Sequence, residues 1–446
     1  MTSTDRGALS WIEIVRLGAV QAALGAIVVL TTSTLNRVMV VELMLPAMLP
    51  GALVGLHYAV QLSRPRWGHG SDMGGARTPW IIAGMAVLAV GGVLAAIATA
   101  WAASAPVAGT LLAVFAFILI GGGVGAAGTS LLALLATDVA PQRRAPAASI
   151  TWIMMIFGFA LTAGLAGGFL DPFTLTRLVI VTAAVCAIAF LVCVAAVWGV
   201  ERTGRAAPEP RASGFAANGG FRAALKDVWS EPKARVFTVF VFVSMLAYSS
   251  SDLILEPFTG LVFELTPGQS TQLAGMQHGG VLVGMIAVAI LGAKLAGRGF
   301  GRRQSWVIGG CVASSFALMA LAAASLAGPG WPLAPTVVVL GLANGAFAVA
   351  AIGAMMGLAG ADGAGREGVR IGLWGAAQAI AFGLGGFLGA AAIDAARAIF
   401  ADAGIAFAIV FAAEALLFLL AARIALGVED HNPETNVVPS LAGGAP

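Results

Sequence analysis

The chain has 446 residues, 59% of them hydrophobic and only 10% charged. So little polar surface cannot keep a globule of this size in water, so the composition excludes a soluble domain and points to lipid. The formal net charge of +3 follows from the loop bias of membrane proteins and is no footprint of nucleic acid.

Residues 1–7 are polar and lack the short apolar core and small-residue cleavage site of a leader, so the first apolar run is expected to be a retained helix. Apolar runs of membrane-spanning length predict twelve spans. Their cores are 17–36, 45–63, 80–100, 108–136, 147–169, 177–199, 236–258, 273–293, 305–327, 335–359, 371–393 and 404–426. The most polar internal segment, 201–235, separates six from six, and Pro208, Pro210 and Gly219-Gly220 disfavour a continuous helix through it. Phe221, Leu225, Val228 and Trp229 fall at helical spacing, with Arg222 and Lys226 on other faces, which predicts an amphipathic helix lying on the headgroups. The expected domains are an N-terminal six-helix bundle (1–200), a cytoplasmic linker (201–235), a C-terminal six-helix bundle (236–427) and a polar cytoplasmic tail (428–446).

The two bundles read as one unit written twice. Glu42-Leu43-Met44-Leu45-Pro46 returns as Glu264-Leu265-Thr266-Pro267, His57 as His278, Gly68 as Gly292, Trp80 as Trp306, Asp138 as Asp362, Trp152 as Trp374 and Asp171 as Asp394, all 221 to 226 residues apart. Parallel repeats of this size in an all-α polytopic chain predict the major facilitator fold, with a binding site between the halves. Of 24 Lys and Arg, only Arg37, Arg177 and Arg397 fall on the side of the first, fifth and eleventh connections, which puts both termini in the cytoplasm.

The second connection fits a Gly-x-x-x-Asp-x-x-Gly-x-Arg frame through Gly68, Asp72, Gly75 and Arg77, resembling the cytoplasmic gate of major facilitator proteins. Glycine permits the tight turn, Asp72 can sit near a helix N-terminus, and Arg77 can bridge to the other half. Asp138 with Arg143 and Arg144, echoed by Asp362 with Arg366 and Arg370, predicts further cytoplasmic ion pairs; the bland alternative is surface charge at helix ends.

The interior looks poor in charge. The fourth span has no ionisable residue, and the tenth offers mainly Asn344, so the cavity reads as apolar and suited to a greasy ligand or to none. His57 and Gln61 lie in the second span and Gln277-His278 in the eighth; the imidazoles could bind the magnesium of a chlorophyll-type ring or simply hydrogen-bond between helices. Asp252 and Glu256 read as interfacial acids near the outer end of the seventh span, and proton coupling through them is the alternative. Glu414, mid-span in the twelfth helix, must be neutral, paired or covered by a partner. Cys186, Cys193 and Cys311 are too scattered for a disulfide framework or metal cluster.

The run from Val28 to Leu43, Pro50-Gly51-Ala52-Leu53, His57-Tyr58, Arg64-Pro65-Arg66, Gly70-Ser71-Asp72, Arg77-Thr78-Pro79-Trp80-Ile81 and Gln277-His278-Gly279-Gly280 resembles the PucC, or bacteriochlorophyll delivery, family of phototrophic bacteria. The resemblance implies a photosynthetic, multi-pass inner-membrane protein, in the intracytoplasmic membrane, that helps assemble light-harvesting complexes. It also implies transient bacteriochlorophyll, received from bacteriochlorophyll synthase and passed to antenna polypeptides among membrane lipids, with His57 and His278 as pigment ligands. Some family members carry a synthase-chain name tied to chlorophyll biosynthesis, but the residues show no catalytic constellation, so no enzyme is expected. A pigment-free chaperone for antenna helices and a proton-coupled transporter of an apolar small molecule are the competing readings.

Overall fold

The computed structural model describes residues 9–64, 67, 76–201, 226, 229–294, 303–360 and 367–427. Twelve long helices make up the described chain. They are α1 (Trp11–Glu42), α2 (Met48–Gln61), α3 (Thr78–Ala102), α4 (Pro106–Asp138), α5 (Arg144–Leu170), α6 (Leu175–Val197), α7 (Pro232–Phe263), α8 (Pro267–Lys294), α9 (Arg303–Ala327), α10 (Leu333–Gly360), α11 (Glu367–Ile399) and α12 (Ala403–Ala425). Eleven are long and apolar enough to cross a membrane; α2, with 14 residues, is the short one.

Local chemistry sets where several of these helices start. Ser10 and Glu13 close a reciprocal capping box on α1, and the side chains of Thr174 and Asp402 accept backbone N–H bonds at the starts of α6 and α12. Proline opens α4 and α7, where its missing N–H costs nothing. The first span is the exception: the apolar run suggests 17–36, but α1 continues to Glu42. Arg37, expected in the first connection, lies inside α1 and is 2% exposed, because its guanidinium finds Glu42 at 2.6 Å and the Leu265 carbonyl at 2.5 Å.

One hydrophobic core joins α1–α6 and a second joins α7–α12. Leu253 of α7 and Ala390 of α11 belong to the first core, so the bundles share apolar surface at one end. We call this the far end; the near end is where α1 begins and α12 finishes. Glycine lets the halves touch there: a Cβ on Gly275 would stand 2.6 Å from the Gly164 amide nitrogen, and one on Gly51 2.8 Å from Ala390 Cβ. The repeat also shows in the turns that end the first helix of each half. Met44 and Glu264 take left-handed conformations, with φ of 53° and 55°, and Leu45 and Leu265 each reach back to a carbonyl six residues earlier, Met39 and Thr259. The structural mates are therefore Met44 and Glu264, a register two residues away from the Glu42-to-Glu264 match of the sequence.

Candidate functional site

The seam between halves begins with a run that polar chemistry makes irregular. In Leu30–Thr34 and again in Val38–Glu42, α1 widens into π turns, the kind of insertion that re-aims side chains. Thr31 and Thr32 satisfy their hydroxyls on α1's own carbonyls, Ile27 and Val28. Ser33 and Thr34 turn outward instead. Ser33 donates to Glu256 of α7 at 2.5 Å, and Thr34 meets Thr271 of α8 at 3.2 Å.

Two of these contacts are mates under the repeat register. Ser33 reaches Glu256, and Asn36 donates to the Leu253 carbonyl at 2.6 Å. Ser33 corresponds to Leu253 and Asn36 to Glu256, so the helix crossing is pseudo-twofold with a carboxylate on one side where the other carries an amide. Glu256 is 1% exposed and also takes Ser270 at 3.4 Å and Thr271 at 3.3 Å. The reading of Glu256 as an interfacial acid is corrected: α7 runs on to Phe263, which places Glu256 within the helix and against α1 and α8.

A second pair of mates closes the far end. Asp394, at the end of α11, accepts from the Ala47 and Met48 amides at the start of α2, at 3.0 and 2.7 Å. Asp171, following α5, accepts from the Thr266 hydroxyl at 2.6 Å and the Gly268 amide at 3.4 Å at the start of α8. Each half thus caps a helix of the other with an aspartate, a favourable place for negative charge.

Further toward the near end the seam holds aromatic and polar groups. Tyr58 of α2 and Tyr248 of α7, the chain's two tyrosines, both pack on Phe382 of α11, with ring centroids 5.3 and 5.8 Å away. All three rings are half-buried, as is Asp252, one turn along α7 from Tyr248. Gln277 donates to Asp252 at 3.4 Å. The central seam is therefore more polar than the apolar cavity expected, because the charge comes from α7 rather than from the fourth or tenth span.

The two histidines differ. His57 is 1% exposed, bonds Gln61 through Nε2 at 2.8 Å, and belongs to a chain continuing from Gln61 to Arg64. His278, 2% exposed, stacks near Phe159 of α5 at 5.1 Å, and neighbouring Gly279 has no atom within 4 Å of where a Cβ would point. Each keeps a buried Nδ1 without a hydrogen-bond partner among the described residues. An imidazole nitrogen is thus buried and unpartnered at both.

Other expected site residues sit apart from this seam. Asn344, expected as a cavity residue, is wholly buried and takes a 2.8 Å bond from Ser314 of α9, inside the second bundle. Glu414, considered as a partner contact, is 2% exposed and accepts from Ser250 of α7, so packing inside the bundle rather than a partner covers it. Arg77 bonds the Ala133 carbonyl at 2.8 Å and Thr137 at 2.5 Å, while its amide meets Glu201 at 2.9 Å. Arg143 stacks over Trp11 with its guanidinium 5.7 Å from the ring, Arg144 donates to the Val139 carbonyl at 3.2 Å, and Asp138 takes Thr137 at 2.9 Å. Arg370 pairs with Glu231 at 2.7 Å. Gly68, Asp72, Gly75, Asp362 and Arg366, with most of the linker and the tail, lie outside the described residues. Sequence reasoning missed Ser33, Thr271, Tyr248, Glu201 and Glu231; the hydroxyl runs Thr31–Thr34 and Ser249–Ser251 were the available signal.

Twelve helices in two six-helix halves with a polar seam define a polytopic membrane protein of the major facilitator fold. Solved structures agree on the fold: a bacterial homologue of the human drug peptide transporters PepT1 and PepT2 superposes with a TM-score of 0.67 at 15% identity, covering 94% of this chain and 97% of that one. A bacterial homologue of the lysosomal transporter Spinster, inward-facing and unoccupied, gives 0.65 at 15% identity, over 95% and 99%. The PUCC protein family matches residues 34–432, and the chain belongs to that family. The "Bacteriochlorophyll synthase 44.5 kDa chain" of Rhodobacter capsulatus is 53% identical over 98% of this chain and 99% of its own length. "Protein PucC" of the same organism is 28% identical over 93% and 91%.

Proposed function

We propose that this chain is a non-enzymatic assembly factor of photosynthetic membranes that takes bacteriochlorophyll as cargo and passes it to nascent light-harvesting polypeptides. Family membership implies a role in assembling photosynthetic complexes. The observation that carries the cargo reading is the half-buried patch of Tyr58, Tyr248 and Phe382 between the halves. Flat aromatic faces suit a conjugated macrocycle, and the glycine-lined helix faces suit its isoprenoid tail. His278 is the proposed magnesium ligand because its Nδ1 has no hydrogen-bond partner among the described residues and its ring packs near Phe159 of α5, whereas His57 has its Nε2 tied to Gln61. The naming of a close relative after bacteriochlorophyll synthase supports that enzyme as the pigment's source. The basic asymmetry supports a cytoplasmic near end, with the far end facing the opposite side of the inner, intracytoplasmic membrane.

The test is the absorption spectrum of the protein purified in mild detergent from a phototrophic host. Co-purified bacteriochlorophyll that falls when Tyr58 and Tyr248 are both changed to Ala, at equal protein level, supports the cargo reading. Pigment-free protein that still restores antenna assembly in a deletion strain replaces it with the pigment-free chaperone.

A further inference from the structure

The far-end contacts divide into two chemical kinds. Asp394 receives a backbone N–H on each of its two oxygens and Asp171 receives the Gly268 amide beside the Thr266 hydroxyl, both at helix N-termini, where a charged carboxylate is favoured. Glu256 receives hydroxyls from Ser33, Ser270 and Thr271, which can donate to a carboxylate or accept from a carboxylic acid. It also occupies the position where its pseudo-twofold mate is the neutral Asn36. The carboxyl lies on the crossing of α1, α7 and α8, buried while the halves are joined and freed only if α1 and α7 part. The charged groups around it are Arg37 of α1, already held by Glu42 and the Leu265 carbonyl, and Asp252 one turn away on α7; α8 presents hydroxyls, with Gln277 and His278 lying toward Asp252.

From this geometry we infer that Glu256 is a proton-binding site whose occupancy controls the far-end seal: proton bound, the halves stay joined; proton lost, they separate. Burying a carboxyl against hydroxyls penalises its charge, and exposing it to water removes the penalty, so sealing and protonation are linked. The chemistry is reversible binding of one proton, released to water when the seal opens. This goes beyond the assembly reading and does not need cargo, so it can be measured on pigment-free protein.

The measurement is the spin-label distance between Met44→Cys and Ile399→Cys, exposed far-end positions in opposite halves, in lipid nanodiscs. The native cysteines are buried and poorly placed to take label. Between about pH 5 and about pH 9, the ratio of long to short distances should rise with pH, by up to about tenfold per unit for one coupled proton. Glu256→Gln should hold the short distance throughout, and Asp252→Asn should keep the wild-type response. An unchanging wild-type distance overturns the proposal, as does a pH response that survives in Glu256→Gln or a response to sodium at constant pH in place of protons. Should Glu256→Gln fail to insert, Glu256→Asp decides: its infrared carboxylic-acid band must shift from the wild-type position and fade as the long distance grows, and a wild-type band indifferent to pH overturns the inference.

Discussion

Glu414 shows how a single residue can be conspicuous in sequence and still misread. An acid in the middle of an apolar helix demands a partner, and the partner is Ser250, which reaches it because Gly389 leaves room; a Cβ there would collide with the Ser250 hydroxyl. Ser250→Ala should lower stability by about 0.6 to 2 kcal/mol, the range of interhelical hydrogen bonds in membranes. Gly389→Ala should cost more, since it breaks the same bond and forces α7 and α11 apart, and thermal unfolding in detergent measures both. The histidines call for a comparison of the same kind. His278→Leu should reduce co-purified bacteriochlorophyll severalfold, whereas His57→Leu should leave it unchanged and lower stability through the lost bond to Gln61. Equal pigment in both variants would remove His278 as a ligand.

Elements decide the seal more than any one contact does. The sequence pairs Asp171 with Asp394 as repeats, yet their work is visible only once α5 and α11 bring them to the starts of α8 and α2. Each charge at a helix N-terminus contributes about 1 kcal/mol. Changing both to Ala should therefore weaken the seal by about 2 kcal/mol, a shift of roughly 30-fold toward separated halves. The same Met44-to-Ile399 distance reads this out, and an unchanged distribution would mean that the glycine contacts of α2 with α11 and α5 with α8 hold the far end unaided. The length of α1 has a comparable origin. The apolar run ends the span at Asn36, but π turns and an internal ion pair carry the helix on to Glu42.

At the scale of the molecule, twelve helices joined at the far end make a topology that fusions can check. Reporters after Ala206 and in the C-terminal tail should report cytoplasm, and one near Ala103, between α3 and α4, the opposite side. Cytoplasmic activity at Ala103 would invert the orientation of the far-end seal and, with it, the side on which Glu256 meets water.

The order and number of the helices, the division into halves and the family resemblance were all legible in the chain, because long apolar runs, clustered basic residues and a tandem repeat are local or periodic properties. The resemblance rested on contiguous runs such as the one ending at Leu43, which is why it could be read without coordinates. The seam was not legible. Whether Glu256 faces lipid, water or Ser33, whether Asn344 lines a cavity or bonds Ser314, and whether Glu414 needs a foreign partner all depend on which face of each helix meets a neighbour more than a hundred residues away or one helix over. In helices apolar on every side the pattern of side chains does not mark a buried face. Only the packing of the two halves, through glycines and reciprocal aspartate caps, chose which polar groups would meet.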